Sequence, residues 1–90
     1  MLDIVLSTQF KKDLKLLKKR GNDLTLLKDV VDTLAKREAL HDKYRDHALT
    51  GNYANFRECH VQPDWLLIYR IHEDTLILFL SRTGTHSDLI

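Results

Sequence analysis

The most constraining feature of the sequence is the run of residues 65–71, Trp-Leu-Leu-Ile-Tyr-Arg-Ile, in which six of seven side chains are apolar. Side chains alternate between the two faces of a strand, so a strand that is apolar on both faces has both faces covered. The run therefore predicts a central strand. Pro63 and Asp64 stand just before it and favour a type I turn, because proline pre-sets the backbone for the second position of that turn. Residues 55–61 are predicted to form the strand that enters this turn.

Two helices are predicted upstream from apolar residues that recur at helical spacing. Residues 9–20 carry one narrow apolar stripe, and Ser7 or Thr8 can cap the first turn. Gly21 suits the position after this helix, where a left-handed backbone is common. Residues 24–34 carry a broader apolar face. The short connection between the two segments predicts an antiparallel helical hairpin.

Strand-like runs frame these helices. Residues 2–6 form a short β-prone run, residues 76–80 form a second doubly apolar run, and the polar residues 72–75 that precede it have hairpin character. Residues 46–51 are predicted to form a loop. The order predicts an α+β fold, in which an N-terminal strand and a two-helix hairpin pack on a small antiparallel sheet. A chain of 90 residues without a linker or repeat predicts a single domain spanning residues 1–90.

Composition excludes several classes of protein. With 43% hydrophobic and 30% charged residues, the chain has the balance of a globular protein rather than a disordered one. No apolar run approaches the roughly 18–20 residues that cross a bilayer, and the N-terminus has no secretory signal. Cys59 is the single cysteine and has no internal disulfide partner, which favours the reducing cytoplasm. A net charge of +1 gives no chain-wide signature of nucleic-acid binding.

The positive charges are unevenly placed along the first predicted helix. On a helical wheel five lysines share an arc of roughly 120° opposite the apolar stripe. We call this set the lysine ridge, and it comprises Lys11, Lys12, Lys15, Lys18 and Lys19. No glutamate is interleaved to neutralise it. A solvated surface is the ordinary interpretation, but an uncompensated ridge also favours polyanion binding through counterion release.

Three of the five histidines stand in polar contexts at the ends of predicted segments: His47, His60 and His86. In an antiparallel meander the end of one strand and the beginning of the next lie at the same edge of the sheet. We therefore expect these histidines to converge with Asp64 and Arg82. Histidine changes its protonation state near neutral pH, so such a cluster predicts proton-transfer chemistry.

Three kinds of chemistry fit this set. A zinc site formed by the histidines and Asp64 has weak support, because no two ligands have the close spacing typical of such sites. Cys59 as a nucleophile is disfavoured, since in a regular strand its side chain points away from His60. The third chemistry is RNA cleavage without a metal or other cofactor, in which the substrate's own 2′-hydroxyl attacks the phosphate.

RNA cleavage of this kind needs three protein groups. A base accepts the 2′-hydroxyl proton, an acid protonates the departing 5′ oxygen, and a cation stabilises the additional charge on phosphorus. Histidine can fill both proton roles, each of which typically contributes about 10²–10⁴-fold to the rate. Arg82 is the expected phosphate ligand. Trp65 or Tyr69 is expected to stack on a base, although a core position explains both aromatic residues equally well.

Three stretches carry a family resemblance. They are residues 46–51 (Asp-His-Ala-Leu-Thr-Gly), residues 56–69, which include His-Val-Gln-Pro-Asp-Trp, and residues 82–86 (Arg-Thr-Gly-Thr-His). Together with the lysine-rich helix they closely resemble the YafQ toxins, a branch of the RelE/ParE superfamily of bacterial toxin–antitoxin systems. The likeness covers practically the whole chain. It implies a RelE-like fold, a ribosome-dependent mRNA endonuclease that inhibits translation, and an inhibitory antitoxin encoded beside the toxin.

The resemblance also implies site residues. The catalytic set carries over onto His47, His60, Asp64 and His86. His86 is the implied proton donor to the leaving group, and the base is left open among the other three. From the residues themselves, substrate binding is expected of Arg82, Trp65, Lys11, Lys12 and Lys15.

One position departs from the family pattern. That pattern ends in an aromatic residue just after the last histidine, where it stacks on a substrate base, whereas this chain ends in Leu89-Ile90. Ile90 has no aromatic face, so codon preference or affinity for the message is expected to differ.

A second function is known for the same fold. ParE relatives block DNA gyrase, and this activity needs no histidines. That function is the alternative to RNA cleavage.

Overall fold

The computed structural model describes residues 1–89, and its fold confirms the predicted α+β class. Within these residues the elements are β1 (Asp3–Leu6), α1 (Thr8–Lys19), α2 (Leu24–Ala35), β2 (His47–Ala48), β3 (Arg57–Gln62), β4 (Trp65–His72), β5 (Ile77–Gly84) and α3 (His86–Leu89). The strand order across the sheet is β1-β5-β4-β3-β2, so β4 lies in the centre as its sequence predicts. Ile90 lies outside the described residues.

The N-terminal strand joins the sheet differently from the other strands. β1 runs parallel to β5, with Leu6 beside Leu80, whereas the remaining neighbours are antiparallel. The predicted antiparallel sheet thus comprises β2 to β5, and β1 extends it as a parallel edge strand. In residues 1–89, no helix combines the length and the apolar character needed to cross a membrane.

β5 is longer than the sequence predicts. The expected strand ended at Leu80, but the observed strand continues through polar residues to Gly84. β1 ends beside Leu80, so beyond this point the outer edge of β5 has no strand partner within the described chain. There the carboxylate of Asp13, on α1, accepts a hydrogen bond from the Thr83 amide at 3.1 Å. This side chain takes the place of a neighbouring strand and keeps the polar end of β5 in the sheet.

Capping side chains begin both long helices, and their apolar sides pack on one face of the sheet. The Ser7 hydroxyl accepts a hydrogen bond from the Phe10 amide at 2.9 Å, and the Asp23 carboxylate accepts one from the Thr25 amide at 3.0 Å. We call the covered side of the sheet the helix face. Its buried strand residues are Cys59, Val61, Trp65, Leu67, Tyr69, Leu78 and Leu80.

The opposite side of the sheet, which we call the open face, carries the functional candidates in two rows across the strands. The first row is His47, Glu58, Ile68 and Arg82, and the second is His60, Leu66 and Gly84. Leu66 and Ile68 are only 2% and 4% exposed. They form an apolar floor beneath the polar side chains of both rows. β-pairing therefore assembles residues that are far apart along the chain.

Candidate active site

Three histidine rings converge on the open face, as the sequence predicts. His60, on β3, lies between the other two. Its ring centroid is 6.4 Å from that of His47 on β2 and 6.0 Å from that of His86 on α3. We call these three residues the histidine cluster. The spacing allows a single phosphodiester to contact two neighbouring imidazoles.

Hydrogen bonds determine the tautomer of two of these rings. Nδ1 of His47 lies 2.7 Å from the carbonyl oxygen of Arg45, and Nδ1 of His60 lies 3.2 Å from that of Pro63. A carbonyl oxygen only accepts hydrogen bonds, so Nδ1 carries the proton in both rings. In the neutral ring Nε2 therefore holds the lone pair. Both side chains are thus oriented to accept a proton at Nε2.

His86 pairs with a carboxylate instead of a carbonyl group. Its Nδ1 lies 3.0 Å from Oδ1 of Asp64, and its backbone amide donates to the same oxygen at 3.5 Å. The hydrogen bond from the His86 side chain lowers the pKa of Asp64, so this carboxylate is ionised at neutral pH. Asp64 thus orients the His86 ring through its Nδ1.

Glu58 also lies at the site, although it was not among the site residues predicted from the sequence. Its Oε1 lies 3.5 Å from Nε2 of His47, and its side chain is only 17% exposed. The sequence did indicate this position. Glu58 lies two residues before His60 on β3, and residues two apart in a strand face the same side of the sheet. The carboxylate thus lies beside Nε2 of His47, at the edge of the histidine cluster.

Arg82 lies on the open face, but Asp13 holds its guanidinium in place. Nε donates to Oδ2 of Asp13 at 2.9 Å, and Nη2 donates to Oδ1 of the same residue at 3.3 Å and to the Asp88 carbonyl at 3.4 Å. Hydrogen bonding to Asp13 raises the pKa of Arg82. Asp13 is a second site residue that was not predicted from the sequence. Its signal was its spacing, since it follows Phe10 by three residues and so shares the apolar stripe of a lysine-rich helix.

The short helix α3, which carries His86, is anchored around Asp88. The Asp88 amide donates to Oγ1 of Thr85 at 3.2 Å, and the Thr85 amide donates to Oδ2 of Asp88 at 2.9 Å, which is a reciprocal cap. Arg20, the residue just after α1, donates to both carboxylate oxygens of Asp88, at 2.6 and 3.0 Å. Gly84 has a φ of +153°, and a Cβ at this position would lie 2.8 Å from Oδ2 of Asp88. Only glycine therefore fits beside the anchor.

Replacing Asp88 with asparagine is expected to lower stability in a pH-dependent way. Hydrogen bonding from Arg20 holds the pKa of Asp88 well below its usual range. A group with a depressed folded-state pKa contributes stability that is fully present above its unfolded pKa of about 3.9 and is lost as the pH falls toward the folded value. Because Arg20 is 41% exposed, we expect a small contribution of about 1 kcal/mol.

Thermal melts of both proteins between pH 2 and 7 test this expectation. The wild-type melting temperature should exceed that of Asp88→Asn by a constant margin above about pH 5, and the margin should narrow below about pH 4. Asp29→Asn, an exposed position on α2, is the matched control and should melt like the wild type. A margin for Asp88→Asn that is the same at every pH would contradict the assigned ion pair.

Two aromatic residues that were expected to stack on substrate lie in the core. Trp65 is 2% exposed, and its indole N–H donates to Oγ1 of Thr83 at 2.9 Å. Tyr69 is 1% exposed, and its hydroxyl donates to Asp46 at 2.6 Å. Both side chains alternate onto the helix face together with Leu67, so neither ring has a free face for a base. The expectation that Trp65 binds substrate is therefore wrong.

The two other chemistries considered from the sequence find little support in this geometry. Cys59 is 0% exposed, and burial raises the pKa of its thiol to about 12, so the thiol is not ionised at neutral pH. It does not serve as a nucleophile. In the part of the chain that the structure describes, no three His, Cys, Asp or Glu side chains are grouped so as to hold a metal ion.

The lysine ridge lies on the exposed side of α1. All five of its lysines are exposed, and none of them takes part in an ion pair within residues 1–89. The same helix carries Asp13 on its buried side, and Arg20 follows its last residue. The ridge is therefore an uncompensated positive surface on the element that also anchors the site.

Comparison with known proteins agrees with these features. The family model for YafQ, a bacterial toxin of type II toxin–antitoxin systems, matches residues 2–90. The mRNA interferase toxin YafQ of Escherichia coli K12 is 43% identical over 88 residues, which cover 97% of this chain and 94% of that relative. A crystal structure of a metal-bound toxin from Helicobacter pylori superimposes with a TM-score of 0.95 at 51% identity, covering 100% of both chains. A chain of the E. coli DinJ–YafQ complex superimposes with a TM-score of 0.91 at 40% identity, covering 100% of this chain and 99% of that one.

These matches extend over nearly the full length of the chain. They include the elements that carry the histidine cluster, Arg82 and the lysine ridge. The resemblance found in the sequence is thereby confirmed. The chain belongs to the YafQ family of bacterial toxins of type II toxin–antitoxin systems.

Proposed function

We propose that this toxin is a ribosome-dependent mRNA endonuclease that inhibits translation. It cuts the message by acid–base chemistry, with the substrate's 2′-hydroxyl as the nucleophile and without a metal ion. The observation that carries the proposal is the histidine cluster, whose neighbouring rings lie 6.0 and 6.4 Å apart beside Asp64 and on the same face as Arg82. The E. coli relative is an mRNA interferase, which supports RNA as the substrate.

His60 is the proposed base and His86 the proposed acid. His60 lies at the centre of the cluster and holds its lone pair on Nε2, because Nδ1 donates to Pro63. It removes the 2′-hydroxyl proton as that oxygen attacks phosphorus. His86, whose ring Asp64 orients through Nδ1, gives a proton to the departing 5′ oxygen. The products are a 2′,3′-cyclic phosphate and a 5′-hydroxyl end. The Asp64 carboxylate is already paired with the His86 ring, so we do not propose it as the base.

We propose that two side chains on the open face, Arg82 and His47, stabilise the charge that develops on the phosphate. Arg82, on β5, is held by Asp13 through Nε and Nη2, which leaves Nη1 without an acceptor among residues 1–89. His47, on β2, has the Glu58 carboxylate 3.5 Å from its Nε2. Donors that are already oriented before the reaction stabilise a transition state more than flexible ones do. The first row of the open face thus supplies the cation that the chemistry needs.

The lysine ridge is proposed to bind the phosphate backbone of ribosomal RNA. Replacing Lys11, Lys12 and Lys15 with glutamine is expected to weaken ribosome binding about 10- to 30-fold near physiological salt and to lower the salt slope by about two. Exposed substitutions of this kind change stability little, so the melting temperature should stay within a few degrees of wild type.

A matched variant removes the same charge elsewhere. Lys28, Lys36 and Arg37 are exposed on or just after α2, and their triple replacement by glutamine should leave the salt slope unchanged. Binding is measured by sedimentation or fluorescence at several salt concentrations. Equal slopes for the two triple variants would show that the ridge is only a solvated surface.

The partner that restrains the toxin is proposed to be an antitoxin encoded in the same operon. E. coli YafQ forms a complex with DinJ, and the family is one of type II toxin–antitoxin toxins. The proposed site of action is the cytoplasm, because translated messages are found there.

Mapping of transcript ends by primer extension tests the proposed function. After induction, new 5′ ends should appear within the translated part of a message and disappear when its start codon is removed. The purified toxin should reproduce these ends on programmed ribosomes after its own metals have been removed by dialysis against EDTA. The measurement after dialysis against EDTA is needed because the Helicobacter pylori toxin was metal-bound. Equal cutting of untranslated messages would overturn the ribosome dependence, and activity that returned only with added Zn²⁺ or Cu²⁺ would overturn the metal-free chemistry.

A further inference from the structure

A pocket opens beside His60 at the outer edge of β3. β2 pairs only with Arg57 and Glu58, so within residues 1–89 the rest of this edge of β3 has no strand partner. The chain just before β2 stands away from the edge and encloses a pocket of about 570 Å³. This volume lies within the range of roughly 300–1,000 Å³ that is typical of small-molecule sites. His60 lines the pocket and takes part in the proposed acid–base chemistry, whereas Leu26, Lys43, Tyr44 and Gln62 have no part in it.

The lining of the pocket combines the kinds of group that bind a nucleotide. Leu26 and the half-buried ring of Tyr44 supply apolar surface. Lys43 and Arg45 are exposed on the same wall, and neither takes part in an ion pair among the described residues. Gln62 is exposed at the end of β3, and its amide can both donate and accept hydrogen bonds. An aromatic ring, two cations outside any ion pair of residues 1–89 and an amide suit a base with its phosphates. The Lys43 ammonium lies over the Tyr44 ring, 5.1 Å from its centroid, so a base that stacks on this face replaces that cation.

The turn that forms this wall is held by contacts at both ends. Nδ1 of His41 accepts a hydrogen bond from the Lys43 amide at 3.0 Å, which caps the 3₁₀ turn Asp42–Tyr44. Arg45 ends the turn in the left-handed region, with φ 50° and ψ 42°. Residues other than glycine adopt this conformation rarely, and they do so where surrounding contacts enforce it. The carbonyl of Arg45 is also the acceptor for Nδ1 of His47 at 2.7 Å. This hydrogen bond therefore links the pocket wall directly to His47 of the histidine cluster.

We infer that this pocket binds the base of the RNA nucleotide next to the cleaved phosphodiester, with Tyr44 stacking on the base and Lys43 and Arg45 contacting its phosphates. The inference rests on the proposed function, because His60 as the base places the cleaved bond at the mouth of the pocket. Gln62 lies where the edge of a stacked base can be read. The pocket would then help to determine which codon is cut.

A coupling experiment between protein and RNA tests this inference. Tyr44→Leu keeps an apolar side chain and loses the aromatic face, whereas Tyr44→Phe keeps that face and is the matched control. Each protein is bound to ribosomes programmed with a message that carries a 2′-deoxynucleotide at the cleaved position and so cannot be cut. A second set of messages has an abasic nucleotide on one side or the other of the cleaved bond. The measured quantity is the dissociation constant of the toxin.

Wild type and Tyr44→Phe should bind about tenfold more weakly when one particular neighbouring base is missing. Tyr44→Leu should bind the complete message about tenfold more weakly and lose nothing further on the abasic one, because stacking on that base is already lost. Equal losses for Tyr44→Leu and wild type on the abasic message would overturn the inference. Undiminished binding of Tyr44→Leu to the complete message would overturn it as well.

Cleavage of the all-ribose message, measured in parallel, separates this inference from the proposed function. Base-dependent binding without cleavage would support the pocket and overturn the nuclease, whereas cleavage without base dependence would do the reverse. Arg45→Asn is an independent test of the phosphate contact. Asparagine tolerates the left-handed backbone, and the substitution removes the cation. It should lower the salt slope of binding by nearly one, and an unchanged slope would count against the phosphate contact.

Discussion

His86→Gln is expected to reduce ribosome-dependent mRNA cleavage about 10²- to 10⁴-fold while leaving the fold intact. The His86 side chain is 54% exposed and bonds to Asp64, so its replacement removes little packing. Glutamine can keep a hydrogen bond to that carboxylate but has no titratable proton to give to the leaving oxygen. The loss should therefore appear in kcat, with little change in the affinity for programmed ribosomes.

The matched control for this experiment is His72→Gln, which makes the same chemical change on β4 outside the histidine cluster. It should cleave like wild type. Single-turnover cleavage and thermal melting of both variants are the measurements. Full activity of His86→Gln would defeat its assignment as the acid. Toxicity that survives the combined loss of His47, His60 and His86, accompanied by DNA damage signalling, would favour inhibition of DNA gyrase instead.

Asp13→Ala is expected to destabilise the protein by about 3 kcal/mol. The Asp13 side chain is 7% exposed, and it accepts hydrogen bonds from the Arg82 guanidinium, itself 23% exposed, and from the Thr83 amide. Alanine leaves a largely buried cation and a buried N–H without an acceptor, and each such group retains its full desolvation penalty. For a chain of this size the melting temperature should fall by at least about 12 °C.

Asp29→Ala is the control for this prediction, since it removes an exposed carboxylate from α2. Its melting temperature should change by no more than about 3 °C, because exposed substitutions usually stay within about 0.5 kcal/mol. Thermal and urea unfolding monitored by circular dichroism are the measurements. An Asp13→Ala variant as stable as the Asp29→Ala control would show that the Arg82 contact is dispensable. The same variant should also lose cleavage activity at temperatures where it is folded, because Arg82 is then no longer held at the site.

The predicted elements that proved correct depend on short-range signals. The central strand β4 follows from apolar side chains on both of its faces, and the two helices follow from apolar periodicity with Ser7 and Asp23 as caps. The end of β5 was missed because its polar residues, up to Gly84, resemble a loop. Asp13, which belongs to another element, keeps that segment in the sheet. The residues of β5 alone give no sign of this contact with Asp13.

The candidate site was predictable to a similar extent. The convergence of the histidines follows from the order of antiparallel strands, and their roles as acid and base are proposals that the experiments above test. Trp65 was misassigned because a base-stacking aromatic and a core aromatic have the same appearance in a sequence. Glu58 was missed although its alternation with His60 indicated its position. The pocket beside His60 has no sequence signal, since it exists only where β2 stops short of the end of β3.

By itself the sequence determined which segments form helices and strands and which ends of those segments carry histidines, because periodicity, capping and turn preferences act over a few neighbouring residues. Only the tertiary structure decided which side chains hold the site together. Asp13 meets Arg82 across 69 positions of the chain, and Arg20 meets Asp88 across 68. The physical reason is that these contacts depend on the distances and angles at which packed elements approach each other, and no local pattern encodes those distances.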